Sequence, residues 1–185
     1  MKNKYEVKIE IPKNAEVFLD GDTVKIKGQK GNNERTFLNP RIEILKENNF
    51  IVVRTKKNGV QNDKVFINTL EAHLKNMFKG VLNGYSAKVK ICSGHFPMQV
   101  KVEGNFVSIK NFLGEKIPRK ANIMLNTKVE VKGDIIEING IDKEMVSQTA
   151  ANIEQSTRIT NRDRRVFQDG CYVIFKTGEV HETKY

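Results

Sequence analysis

The strongest constraint on this chain is an internal echo. Gly21-Asp22-Thr23-Val24-Lys25-Ile26-Lys27 recurs as Gly104-Asn105-Phe106-Val107-Ser108-Ile109-Lys110 at a constant spacing of 83 residues, and the same spacing carries Gly31 onto Gly114. Each copy reads as a glycine-led turn followed by a strand whose Val and Ile share one face. Asn48-Asn49-Phe50-Ile51-Val52-Val53 has a similar counterpart in Gly133-Asp134-Ile135-Ile136-Glu137-Ile138, with a small shift of register. A 185-residue chain carrying two such copies is expected to fold as two related modules of ordinary small-domain size.

Each half holds a single helical period. In the first, Phe66, Leu70, His73, Leu74, Met77 and Val81 form a 3.6-residue stripe, with Asn62 and Asp63 as candidate caps and Asn83-Gly84 as a stop. In the second, Val146, Ala150, Ile153 and Thr157 follow Asp142, with Glu144 in the first turn. A strand follows each helix: Tyr85 to Cys92 alternates apolar and polar residues, and Cys171 to Phe175 is its match. The order strands, helix, strand predicts an α+β fold. It comprises two tandem copies of a small domain, each a mostly antiparallel sheet with one main packed helix. The boundary is expected at Ser93-Gly94-His95-Phe96-Pro97, where Gly and Pro break the periodicity. This gives a first repeat over 1–93, a second over 94–178 and a tail over 179–185. The stretch from Thr177 to Tyr185, polar and aperiodic, reads as disordered in isolation.

Composition removes several classes of function. With 38% apolar and 29% charged residues the chain has material for a core, which excludes a fully disordered polymer. No run of about eighteen apolar residues exists for a spanning helix, and the opening Met1 to Glu6 lacks the apolar block of a secretory signal. A cytoplasmic protein is therefore expected. Cys92 and Cys171 are too few and too far apart for a disulfide framework, and read as structural thiols.

Charge points to the partner. Thirty-two Lys and Arg against 22 Asp and Glu leave a net +10, which favours a polyanion: nucleic acid or an anionic membrane surface. Four of the eight arginines, Arg158, Arg162, Arg164 and Arg165, fall within eight consecutive positions. The planar guanidinium donates two parallel hydrogen bonds to a phosphate, so the cluster suggests geometric phosphate recognition. A lone cation there would be read as a helix-end charge or solvated surface.

Convergent catalytic groups are thin. Cys92 and His95 have metal-like spacing, but two ligands do not close a zinc site, and nothing in the sequence orients His95 to activate the thiol. His73 reads as a core-edge histidine. Neither phosphate-loop glycine pattern occurs, and the GxxG at Gly28-Gln29-Lys30-Gly31 joins strand patterns rather than helices. With no Trp, and with Phe66, Phe106 and Phe175 assigned to core, little aromatic surface is left for a stacking platform. What remains are basic loops at Lys27 to Lys30, Lys56-Lys57-Asn58-Gly59, Lys116 to Lys120 and Arg158 to Arg165. They suit a folded RNA read through shape and phosphates.

Four segments together carry a family resemblance: His73-Leu74-Lys75-Asn76-Met77-Phe78-Lys79-Gly80-Val81, His95-Phe96-Pro97-Met98, Asn111-Phe112-Leu113-Gly114-Glu115-Lys116 and Asp163-Arg164-Arg165-Val166-Phe167-Gln168-Asp169-Gly170. From Ile11 to about Phe175 the chain resembles the large-subunit ribosomal protein six family, in its archaeal and eukaryotic branch, whose eukaryotic member is numbered nine. The resemblance implies a structural constituent of the large subunit without catalysis, cofactor, metal or small-molecule substrate. It implies binding to large-subunit ribosomal RNA near the sarcin-ricin loop and stalk base, beside neighbouring ribosomal proteins and away from membranes. The family's RNA-contacting region falls on Thr157 to Arg165. The RNA-binding residues expected are Arg158, Asn161, Arg162, Arg164, Arg165, Lys116, Arg119, Lys120, Lys56, Lys57 and Lys30. Asp163 and Asp169 are each read as either pairing with an arginine or capping a turn. The alternative function is a non-ribosomal RNA chaperone or ribosome-assembly factor, which shares the basic loops and binds many RNAs alike.

Overall fold

The computed structural model describes residues 5–57 and 59–179 and divides the chain into two compact units between Asn83 and Gly84. The first unit runs β1 (Glu6–Glu10), β2 (Glu16–Asp20), β3 (Thr23–Gly28), β4 (Gly31–Thr36), β5 (Ile42–Glu47), β6 (Phe50–Thr55) and α1 (Gln61–Leu82). These strands form two antiparallel sheets in the orders β1-β6-β5 and β2-β3-β4, and α1 packs against strands of both. The second unit runs β7 (Tyr85–Cys92), β8 (Gln99–Glu103), β9 (Phe106–Lys110), a 3-10 turn (Phe112–Gly114), β10 (Arg119–Asn122), β11 (Thr127–Lys132), β12 (Ile135–Gly140), α2 (Lys143–Ser156) and β13 (Gly170–Glu179). Its sheets are β10-β9-β8 and β11-β12-β7-β13, again antiparallel and again bridged by the helix.

The echo in the sequence is an echo in topology. Strand order β5-β6-β1 matches β11-β12-β7, and β2-β3-β4 matches β8-β9-β10. The matching hairpins turn alike: Gly21 and Gly104, both with φ near +60°, open the two-residue turns that set Asp20 opposite Thr23 and Glu103 opposite Phe106. Asn48 and Gly133 take the same left-handed conformation at the head of the other hairpin pair. The repeating unit is therefore six strands and a helix, and β13 is a supernumerary strand added to the second copy.

That topology corrects the expected boundary. By chain order β7 follows α1 and would close the first repeat, yet it is the counterpart of β1 and pairs with β12 and β13. The break lies at Asn83-Gly84, ahead of β7, and Ser93 to Pro97 is an ordinary β7–β8 connection. The expected tail also begins too early. β13 continues through Gly178 and Glu179, opposite Ser86 and Tyr85, because backbone pairing with β7 orders a stretch with no side-chain period. Residues 180–185, the rest of that tail, lie outside the described residues.

Cores follow the pattern in each copy. In the first, Val24, Ile26, Ile51 and Val53 are buried, as are Ile67, Leu70, Leu74 and Val81 of α1; in the second, Val107, Ile109, Ile136 and Ile138 form one buried cluster with Val146, Ala150 and Ile153 of α2. Asp142 caps α2 as expected, accepting the Glu144 N–H at 2.8 Å. At α1 the cap position is Val60 rather than Asn62 or Asp63, and Asp63 reaches back to accept the Val60 N–H at 2.9 Å. Phe175, expected in the core, is exposed, since β13 is an edge strand whose register shifts between Val173 and Phe175.

The β3–β4 hairpin is seated on the end of α1: the Lys30 N–H donates to the Val81 carbonyl at 2.9 Å. A Cβ at Gly28 would lie 2.7 Å from that same carbonyl oxygen, so only glycine fits between strand and helix. Gly28→Ala is expected to destabilise the first unit by about 1–3 kcal/mol through overpacking. Urea unfolding followed by circular dichroism measures it, and an unshifted midpoint would mean that the hairpin does not need this seat.

Candidate nucleic-acid interface

Three connections of the second unit are tied together at one end: β7–β8 (93–98), β9–β10 (111–118) and α2–β13 (157–169). The longest begins where α2 stops. Thr157 is buried and its hydroxyl accepts the Cys171 N–H at 2.9 Å, and Ile159 is buried in the core cluster. Asn161 then turns the chain with φ +58°, a conformation asparagine tolerates. The Asp163 carbonyl accepts the N–H groups of Val166 and Phe167, while its carboxylate accepts the Arg165 backbone N–H and the Arg165 guanidinium, each at 2.9 Å. Asp163 thus both caps a turn and pairs with an arginine. The side-chain bond to Arg165, followed by the backbone bond, holds its carboxyl below the usual aspartate value.

Asp169 does neither of the things its sequence context suggests. It forms no ion pair with an arginine among the described residues; its side chain is 1% exposed and faces the β7–β8 connection. There it accepts the Gly94 N–H at 2.5 Å, the His95 N–H at 2.9 Å and the His95 ring Nδ1 at 2.6 Å. Burial alone would raise its pKa, but the bonds from His95 and Gly94 outweigh burial and the carboxyl is held below its ordinary 3.8. The His95 ring lies 4.9 Å from the Phe167 ring, and the Asn111 amide donates to the Pro97 carbonyl at 3.1 Å. His95 and Phe167 are the residues that sequence reasoning missed. His95 is conspicuous beside Cys92, but its partner lies 74 residues away and leaves no local signal.

The arginines divide sharply. Arg119 of β10 is committed to protein: Nε and Nη2 donate to the two Glu115 oxygens at 2.7 and 2.6 Å, and Nη1 donates to the carbonyls of Ser156 and Arg158 at 2.9 and 3.2 Å. Its guanidinium also covers Phe112, 4.3 Å from the ring centroid. The hydrogen bond from Arg119 holds the Glu115 carboxyl below its usual range. This residue fastens the β9–β10 connection to the end of α2. Arg158, Arg162 and Arg164 are exposed and form no ion pair among the described residues, and Arg165 is 90% exposed beyond its contact with Asp163. Arg162 sits over Phe167, 4.9 Å from the centroid. Arg164 shares an open cleft of about 690 Å³ with His95, Gln168, Asp169 and Tyr172. Lys116 is exposed, and Lys120 rests 4.7 Å over Phe106.

The remaining expected residues lie on the first unit. Lys30 is exposed in the β3–β4 turn. Lys56 and Lys57 are exposed, and with Pro40, Arg41 and Asp63 they line a cavity of about 460 Å³ in which Arg41 pairs with the buried Asp63 at 3.0 Å. His73 is half-buried, its ring 6.2 Å from Phe37. Cys171 is buried, and burial pushes its thiol up to about 11, so it stays protonated and inert. Among the described residues no three His, Cys, Asp or Glu side chains gather as metal ligands, and no helix is long and apolar enough to cross a membrane.

Comparison with known proteins identifies the repeat. The family model for ribosomal protein L6 matches twice, over residues 11–84 and 96–170, stretches that begin at corresponding points just after β1 and β7. The chain belongs to this ribosomal protein family. It is 46% identical over 168 residues to the large ribosomal subunit protein uL6 of Methanobrevibacter smithii, covering 91% of this chain and 94% of the relative. It is 48% identical to those of Methanosarcina mazei, over 168 residues, and Methanocella arvoryzae, over 169, with 91% of this chain and 95% of each relative covered. The archaeal relatives fit the branch that the sequence motifs indicate.

Asp169→Ala is expected to destabilise the second unit by about 1–3 kcal/mol at neutral pH, because the Gly94 and His95 N–H groups lose their acceptor. A carboxyl whose folded pKa is depressed stabilises above its unfolded value and loses that effect as pH falls through the folded value. The gap between wild type and variant should therefore be full at neutral pH and shrink below pH 3.8. Urea titrations at neutral pH and at about pH 3 measure it; a gap that widens on acidification would contradict this account.

Proposed function

We propose that this chain is a structural constituent of the large subunit of cytoplasmic ribosomes. It binds large-subunit ribosomal RNA through the three tied connections of its second unit. One observation carries the reading: Arg158, Arg162, Arg164 and Arg165 stand exposed on a loop whose backbone is fixed by Asp163, Ile159, Thr157 and Asp169. Guanidinium groups on an ordered loop suffer little entropy loss on meeting phosphates, which favours affinity for a folded RNA over loose attraction to any polyanion.

Within this reading the expected residues take different parts. Arg158, Arg162, Arg164, Arg165 and Lys116 meet phosphate directly, with Asn161 setting the turn and Lys120 flanking it. Arg119 acts by holding two connections in place. Lys30, Lys56 and Lys57 supply a second, lysine-based attachment from the first unit. The position near the sarcin-ricin loop and stalk base, beside neighbouring ribosomal proteins, rests on the family resemblance. The chain contributes binding and shape to translation and no catalytic step.

Replacing Arg162, Arg164 and Arg165 together by alanine should weaken binding to large-subunit ribosomal RNA and flatten its salt dependence. The slope of log affinity against log salt should fall by roughly two to three units, one for each phosphate that no longer meets a cation. Filter binding across a salt series reads the slope, and an unchanged slope would remove these arginines from the interface. Equal affinity of the wild-type chain for an unrelated RNA of the same length would favour the chaperone reading.

A further inference from the structure

We propose that the α2–β13 connection also takes up an unstacked nucleobase, seated on the outward face of the Arg162 guanidinium; the inference rests on the RNA-binding reading above. Phe167 is the foundation. It is fixed by its N–H bond to the Asp163 carbonyl at 2.9 Å, by the His95 ring at 4.9 Å, and by packing at the margin of the second unit's core. Arg162 lies over that ring at 4.9 Å, exposed and without an ion pair among the described residues.

An arginine meant only for phosphate extends its N–H edge towards the anion. One whose guanidinium carbon lies over an aromatic ring, as that of Arg162 does, instead has protein on its inner side and solvent on its outer side. Bases splayed out of RNA loops and bulges stack on guanidinium planes as readily as on aromatic rings. Few exposed aromatic residues are needed for this, because the ring beneath serves to orient the cation above it. The neighbouring Arg164 and Arg165 supply the charge that holds the strand while the base stacks.

The test separates plane from charge at one position. Full-length wild type, Arg162→Ala, Arg162→Lys and Arg162→Tyr are titrated against in vitro-transcribed large-subunit ribosomal RNA of Methanosarcina mazei, the source of one relative, at several salt concentrations. Lysine keeps the charge and loses the plane, so Arg162→Lys should weaken binding by roughly tenfold, close to Arg162→Ala. Tyrosine keeps a plane and loses the charge, so Arg162→Tyr should stay within about threefold of wild type, with its salt slope lower by about one unit for the phosphate contact it gives up. The reverse order, two losses, or two variants equal to wild type would each overturn the stacking site and leave the RNA-binding reading standing. Wild type that prefers this RNA no more than an unrelated RNA of equal length would overturn both.

Discussion

The second unit's candidate interface depends on one buried charge. A carboxylate removed from water is costly unless donors replace its hydration, and Asp169 finds three, all from residues 94 and 95. None of those donors is near it in sequence, so the α2–β13 connection cannot satisfy Asp169 without drawing the β7–β8 connection alongside. His95, once drawn in, packs on Phe167, and Phe167 in turn supports Arg162. A single acceptor thereby fixes side chains on two loops, which is how exposed cations come to stand at set positions.

Arginine serves two opposed purposes within a short stretch of structure. Arg119 directs four hydrogen bonds into the protein and lies over Phe112, so its guanidinium acts as a bracket between β10 and the end of α2. Arg162 and Arg164 project from the segment that this bracket steadies. Exposed ion pairs contribute little to stability, whereas a bidentate pair that also bonds two backbone carbonyls satisfies groups left open at a helix end. Charge count alone therefore overstates how much of the surface is offered to a polyanion.

What is legible in the sequence is local. Hairpin turns, helix stripes and the Asp142 cap are set by residues within a few positions of one another, and each stands where the pattern puts it. The duplication is legible because its turn chemistry repeats. The boundary is not, because β7 alternates equally well as the last strand of one module or the first of the next; only its pairing with β12 and β13 decides. The arginine cluster stands out by spacing, yet nothing in Glu115-Lys116-Ile117-Pro118-Arg119 distinguishes a bracket from a phosphate ligand until the carbonyls of Ser156 and Arg158 are brought beside it.

The supernumerary β13 carries a consequence for how the protein matures on its way out of the translating machinery. The first unit has every strand and its helix in hand by Asn83, so it is free to fold while the remainder is still being made. The second unit cannot close in the same fashion, since β7, its earliest strand, waits for its last neighbour, and Asp169 emerges only just before that neighbour does. The arginine loop proposed to meet RNA is thus the final portion to set, and a nascent chain halted within α2 would carry a finished first module and lack that loop.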